Sequence, residues 1–100
     1  FNIYLLSFMQ EIIQKSIDEL NKVLPKNKKI KNEDSFKLIS KKSNLNSIDI
    51  VNLFIILEKY LKIEKNFILT FDDLMKDINQ LKTIGGLKSY LQKKLENNEG

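Results

Sequence analysis

The stretch that decides the fold is Asn46-Ser47-Ile48-Asp49-Ile50-Val51-Asn52-Leu53-Phe54-Ile55-Ile56-Leu57-Glu58-Lys59-Tyr60-Leu61. Its apolar residues recur every three or four positions, so a helix is predicted from Ser47 to about Lys62. Asn46 supplies the start, because its side-chain oxygen can accept from the free amides of a first turn. Asp49 adds an acid in that turn, which the helix dipole favours by a few tenths of a kcal/mol. Ile50, Leu53, Phe54, Leu57 and Leu61 make one stripe wide enough to face a core, and Ile48, Val51 and Ile55 make a second on another side, beside Asn52 and Lys59. A helix apolar nearly all round is either central to its bundle or offers its spare face to a partner. Stripes at helical spacing are more often core than interface, so the residues alone favour central burial.

Working outward, Phe1, Leu5, Phe8, Ile12, Ile13, Ile17, Leu20 and Leu24 recur at the same spacing and predict a first helix over residues 1–24, ended by Pro25. Residues 26–46 are polar, with only Ile30, Phe36, Leu38, Ile39 and Leu45 to pin them. A loop of about twenty residues is unusual in a compact domain and calls for a reason. Downstream, Phe71, Leu74, Met75 and Ile78 predict a short helix over residues 71–78, and Thr83 is the N-cap of a last helix that turns Ile84, Leu87, Leu91 and Leu95 inward. There is no convincing strand alternation and no repeat. The fold class is therefore all-α: four helices, a long loop between the first two, and a short third. The expected organisation is a single domain over residues 1–100, with residues 1–8 read as an upstream extension ahead of Met9.

With no Cys and no His, the chain cannot form a thiolate or His-ligated metal site, a Cys nucleophile or a Ser-His-Asp triad. Lys, Asp, Glu and Tyr remain, and none falls into an acid–base or nucleophile constellation, so the chain is not expected to be an enzyme. The formal net charge is +4, and it is unevenly spread: residues 22–42 hold eight Lys against Glu33 and Asp34, whereas residues 43–100 balance. All seventeen basic residues are Lys, and the absence of the Arg fork argues against sequence-specific nucleic-acid reading. The Lys, Ile and Asn bias matches an A+T-rich coding sequence. No apolar run approaches the ~20 residues of a membrane span, and the first eight residues lack the features of a signal peptide. The expectation is a cytoplasmic monomer.

The segment from Asn46 to Leu53 resembles the Asp-Ser-Leu-x-x-Val-Glu-Leu signature of acyl carrier proteins and of the related peptidyl and aminoacyl carrier domains. Thr83-Ile84-Gly85-Gly86-Leu87-Lys88-Ser89-Tyr90 is similar to the start of that family's last helix, and Asp34-Ser35-Phe36-Lys37-Leu38-Ile39 to the segment that anchors its long loop. The resemblance covers roughly residues 9–96 and accounts for the long loop. It implies a non-catalytic carrier with 4'-phosphopantetheine attached to Ser47 by a phosphopantetheinyl transferase. Acyl- or aminoacyl-loading and downstream biosynthetic enzymes would act on its thioester. The cofactor brings its own thiol, so the lack of Cys is no obstacle. Partner docking falls on Ile48, Asp49, Val51, Asn52 and Ile55, which shifts the reading of the second stripe toward an exposed face. The core stripe and the fourth helix would shelter the arm. Two departures matter: Asn46 stands where the family has Asp, which keeps the cap and loses a charge, and Asn52 stands where it has Glu. The implied protein is a dedicated carrier of a specialised pathway, docking mainly by apolar contact. Gly85 and Gly86 admit two explanations, a frayed first turn or a close approach to the arm. The alternative function is a helical interaction module whose Lys-rich loop binds an anionic partner or nucleic acid.

Overall fold

The computed structural model describes the backbone of residues 3–99 and the side chains as far as Asn97. It contains four α-helices: α1 (Ile3–Asn21), α2 (Ser47–Lys65), α3 (Phe71–Lys76) and α4 (Ile84–Glu99). Short 3-10 turns occupy Lys26–Lys28 and Ile78–Gln80. Among the described residues no strand forms, and the only bridge is an isolated antiparallel pair between Lys37 and Thr83. No described helix is long and apolar enough to cross a membrane.

The core stripe of α2 is buried along its whole length: Ile50, Leu53, Phe54, Leu57 and Leu61. Each such side chain contributes about 1.5–3 kcal/mol on leaving water. They pack against Leu5, Met9, Ile12, Ile13 and Ile17 of α1 and Leu87, Leu91 and Leu95 of α4 in one core. Residues 3–8, read from the sequence as an extension, are continuous with α1 and place Leu5 in that core; Phe1 lies outside the described residues. A polar staple closes the outer edge of the α1–α2 pair. Lys59 Nζ lies 2.7 Å from Glu19 Oε2, and the Tyr60 hydroxyl donates to Glu19 Oε1 at 2.6 Å.

Helix boundaries depart from the sequence reading where side chains act as caps. α1 stops at Asn21, three residues before the predicted Leu24, because Asn21 turns to the long loop. Its Oδ1 accepts from the Ile30 amide at 2.8 Å and its Nδ2 donates to the Ile30 carbonyl at 2.9 Å. α2 runs on to Lys65, since Asn66 can adopt the left-handed conformation that ends it (φ 52°). α3 is shorter than predicted, ending at Lys76; the chain then tightens into the 3-10 turn, and Asp77 accepts the Tyr90 hydroxyl at 2.7 Å.

The long loop is held by main-chain bonds to the start of α4. The Ile84 and Gly85 amides, which have no partner inside the helix, donate to the carbonyls of Phe36 (3.0 Å) and Asp34 (2.9 Å). In return the Leu38 and Ile39 amides donate to the Lys82 carbonyl at 2.8 and 3.1 Å. Thr83 caps the same turn, its Oγ1 accepting from Gly86 N–H at 3.0 Å. This arrangement gives the glycine pair a reason of its own. The turn is not frayed, and the close approach is to backbone: a Cβ on Gly85 would lie 3.0 Å from the Asp34 carbonyl oxygen, and one on Gly86 2.5 Å from that of Gln80.

Gly86→Ala is therefore expected to destabilise the fold by about 1–3 kcal/mol in denaturant unfolding, although alanine is the better helix former; a stabilised variant would contradict this packing. The hydrogen bonds from Lys59 and then Tyr60 hold the Glu19 carboxyl below its ordinary value. Its contribution is thus present at neutral pH and lost as pH falls through that lowered value. Glu19→Gln should unfold earlier than the parent at pH 7 and match it in strong acid, as read from Tm against pH.

Candidate functional site: Ser47 and the cleft beside it

The N-terminus of α2 is closed by a reciprocal cap. Asn46 Oδ1 accepts from the Asp49 amide at 2.9 Å, and Asp49 Oδ2 accepts from the Asn46 amide at 2.9 Å. Asp49 is 9% exposed, and Lys28 Nζ approaches its Oδ2 at 3.5 Å from the loop. Asp49 was expected to face partners. It is instead turned into the cap, because the N3 position is where a carboxylate can reach back to the N-cap amide. Asn46 performs the capping role read from the sequence, as Thr83 does for α4.

Ser47 is the first residue inside the helix; it is exposed, and its hydroxyl engages no group among the described residues. Beside it opens a cleft of about 240 Å³ between the loop, α2 and α3. The loop supplies Leu38, Ile39 and Leu45, α2 supplies Ile50 and Val51, and Met75 and Ile78 close the far side. None of the inward residues of α4 reaches this cleft. Ile84, Leu87, Leu91 and Leu95 are consumed by the core, so the last helix does not wall this cleft.

The second stripe of α2 divides. Ile48 (68% exposed) and Ile55 (49%) face outward with Asn52, whereas Val51 is half-buried and belongs to the cleft wall. Ser47, Ile48, Asn52 and Ile55 thus share the open surface around the cleft, and Asp49 and Val51 do not. The sequence reading missed Met75 and Ile78 as cleft residues. Their spacing puts both on the apolar side of the predicted short helix, and periodicity does not distinguish a core wall from a cleft wall. Met75 remains 36% exposed.

No charged side chain lines the cleft. With Asp49 inside the cap and Asn at positions 46 and 52, the rim around Ser47 carries no exposed carboxylate from residues 46–55. The site offers a hydroxyl, an apolar hollow and a helix N-terminus. Comparison with known proteins adds no assignment: no family model, no curated protein and no solved structure matches this chain.

Asp49→Ala should lower stability by about 1–2 kcal/mol through loss of the reciprocal cap. Ile48→Ala and Ile55→Ala should stay within about 0.5 kcal/mol of the parent. Equal losses in all three by urea unfolding would mean that the outward stripe is packed.

Proposed function

We propose that the chain is a carrier whose Ser47 hydroxyl is the attachment point of a 4'-phosphopantetheine arm. The observation that carries this reading is the position of Ser47: an exposed, uncommitted hydroxyl on the first turn of α2, at the edge of an apolar cleft of about 240 Å³. The resemblance of residues 46–53 and 83–90 to the carrier signatures supports it.

The residues around Ser47 fit such a group. The reciprocal cap occupies the Asp49 amide and leaves those of Ser47 and Ile48 for a phosphodiester, which the positive end of the helix dipole also favours. Leu38, Leu45, Val51 and Met75 offer the cleft as cover for an apolar segment near the attachment point. When bound, the group supplies the thiol that carries an acyl or aminoacyl unit as a thioester. The chain itself does no bond-making chemistry; it presents the serine, anchors the diester and displays Ile48, Asn52 and Ile55 to the transferase and to the loading and downstream enzymes. Because that face is uncharged, docking rests on apolar contact rather than on electrostatic steering. The lack of charge on that face supports reading the chain as a dedicated carrier in a specialised biosynthetic pathway.

Incubation with coenzyme A and a promiscuous phosphopantetheinyl transferase should add one phosphopantetheine by intact mass to the wild type and none to Ser47→Ala. The reading fails if several transferases leave the wild type unmodified, or if Ser47→Ala gains the same mass.

A further inference from the structure

Sharing Leu45 with the Ser47 cleft, the long loop encloses a second hollow of about 310 Å³. Six of its eleven lining residues are Lys and none is acidic. Outside it, Lys15 is paired with Glu64 at 2.6 Å, Lys59 with Glu19 at 2.7 Å and Lys88 with Asp34 at 3.0 Å. In the hollow, Lys28 reaches Asp49 and Lys29 donates to the Asn21 carbonyl at 2.6 Å. Lys26, Lys31, Lys37 and Lys42 have no carboxylate within ion-pair distance among the described residues.

Ammonium groups gathered around one concavity repel each other, and an anion that concentrates several charges in a small volume relieves that repulsion. Lysine acts as a point charge toward phosphate and lacks the planar fork that matches a carboxylate. The remaining lining is not simply solvated surface: Phe36 and Leu45 give the hollow an apolar wall, and the Asn44 side-chain Nδ2 donates to the Asn27 carbonyl at 2.9 Å across its rim. The volume lies at the small end of ligand sites and suits one compact molecule rather than an extended strand. The loop that forms it is fixed at Ile30 by Asn21 and at residues 34–39 by α4, so the hollow is preformed.

We propose that this lysine-lined hollow binds a small ligand bearing a di- or triphosphate on an aromatic or apolar body, of the nucleoside diphosphate class. The phosphates meet Lys26, Lys31, Lys37 and Lys42, and the body lies against Phe36 and Leu45. The site goes beyond the carrier reading and stands without it.

The test is titration of the full isotope-labelled chain at low salt with adenosine diphosphate, pyrophosphate and adenosine, following amide shifts and Tm. Saturable binding is expected for the first two, with shifts concentrated at residues 26–31, 36–37 and 42–45 and a Tm that rises with ligand concentration. Adenosine should bind roughly tenfold more weakly or worse. Lys37→Gln combined with Lys42→Gln should weaken diphosphate binding by roughly tenfold while keeping a ligand-free Tm at or above that of the parent. Lys26→Gln with Lys31→Gln should do the same. Ser47→Ala should bind as the wild type does, which separates this result from that of the carrier experiment. The proposal is overturned by the absence of saturable binding, by shifts spread over all surface lysines, or by single-stranded oligonucleotides outcompeting the diphosphate as their length grows.

Discussion

The exchange of main-chain hydrogen bonds between the long loop and the start of α4 is the constraint on which the rest of this structure depends. Two of the α4 amides that lack helical partners, those of Ile84 and Gly85, are satisfied by loop carbonyls, and two loop amides are satisfied by Lys82. Without it, residues 31–45 would hold only scattered apolar anchors and a few exposed side-chain contacts, such as Asp34 with Lys88 and Asn44 with Asn27, too few to offset the entropy of ordering so long a segment. Both clefts flanking Leu45 are walled by this loop. The fold of the helices supports the core, but the loop makes the surfaces on which ligands or partners could act.

Within that frame α2 serves three surroundings at once. Its core stripe joins α1 and α4, Val51 and Ile50 line the cleft, and Ile48, Asn52 and Ile55 look outward. The same helix carries the cap that orients Ser47, and Lys28 from the loop closes on Asp49. Burial of Tyr90, followed by its bond to Asp77, raises the phenol above its ordinary range and ties α4 to the residue that ends α3. Each element around the serine is thus braced from a second direction.

The four helices were legible because their apolar residues repeat at helical spacing, and the Asn46 and Thr83 caps because such residues precede apolar runs for a physical reason. Helix ends were less legible. Asn21, Asn66 and Asp77 act through tertiary partners or an unusual backbone conformation that a local pattern does not reveal. The inward turn of Asp49 follows from its spacing to Asn46, but choosing between a cap and a displayed charge needs the neighbouring Lys28. The glycine pair was the least legible feature, since what excludes a Cβ there is carbonyl oxygen from segments remote in sequence or across a turn. The clefts depend on which apolar residues are left over once the core is filled, and Met75 and Ile78 carry no mark of that in sequence.

The loop is held at α4 through peptide groups, which every residue type except proline supplies in full. Its path and its surface character are therefore separable. Side chains at Lys31, Lys37, Lys41 and Lys42 do not hold the path, so exchanging them for neutral or acidic residues would change the charge of an entire face while the walls around Leu45 kept their shape. The glycines opposite have no such latitude. A few invariant contacts between backbones thus leave one side of this small molecule open to change in its electrostatic identity, with the architecture underneath unchanged.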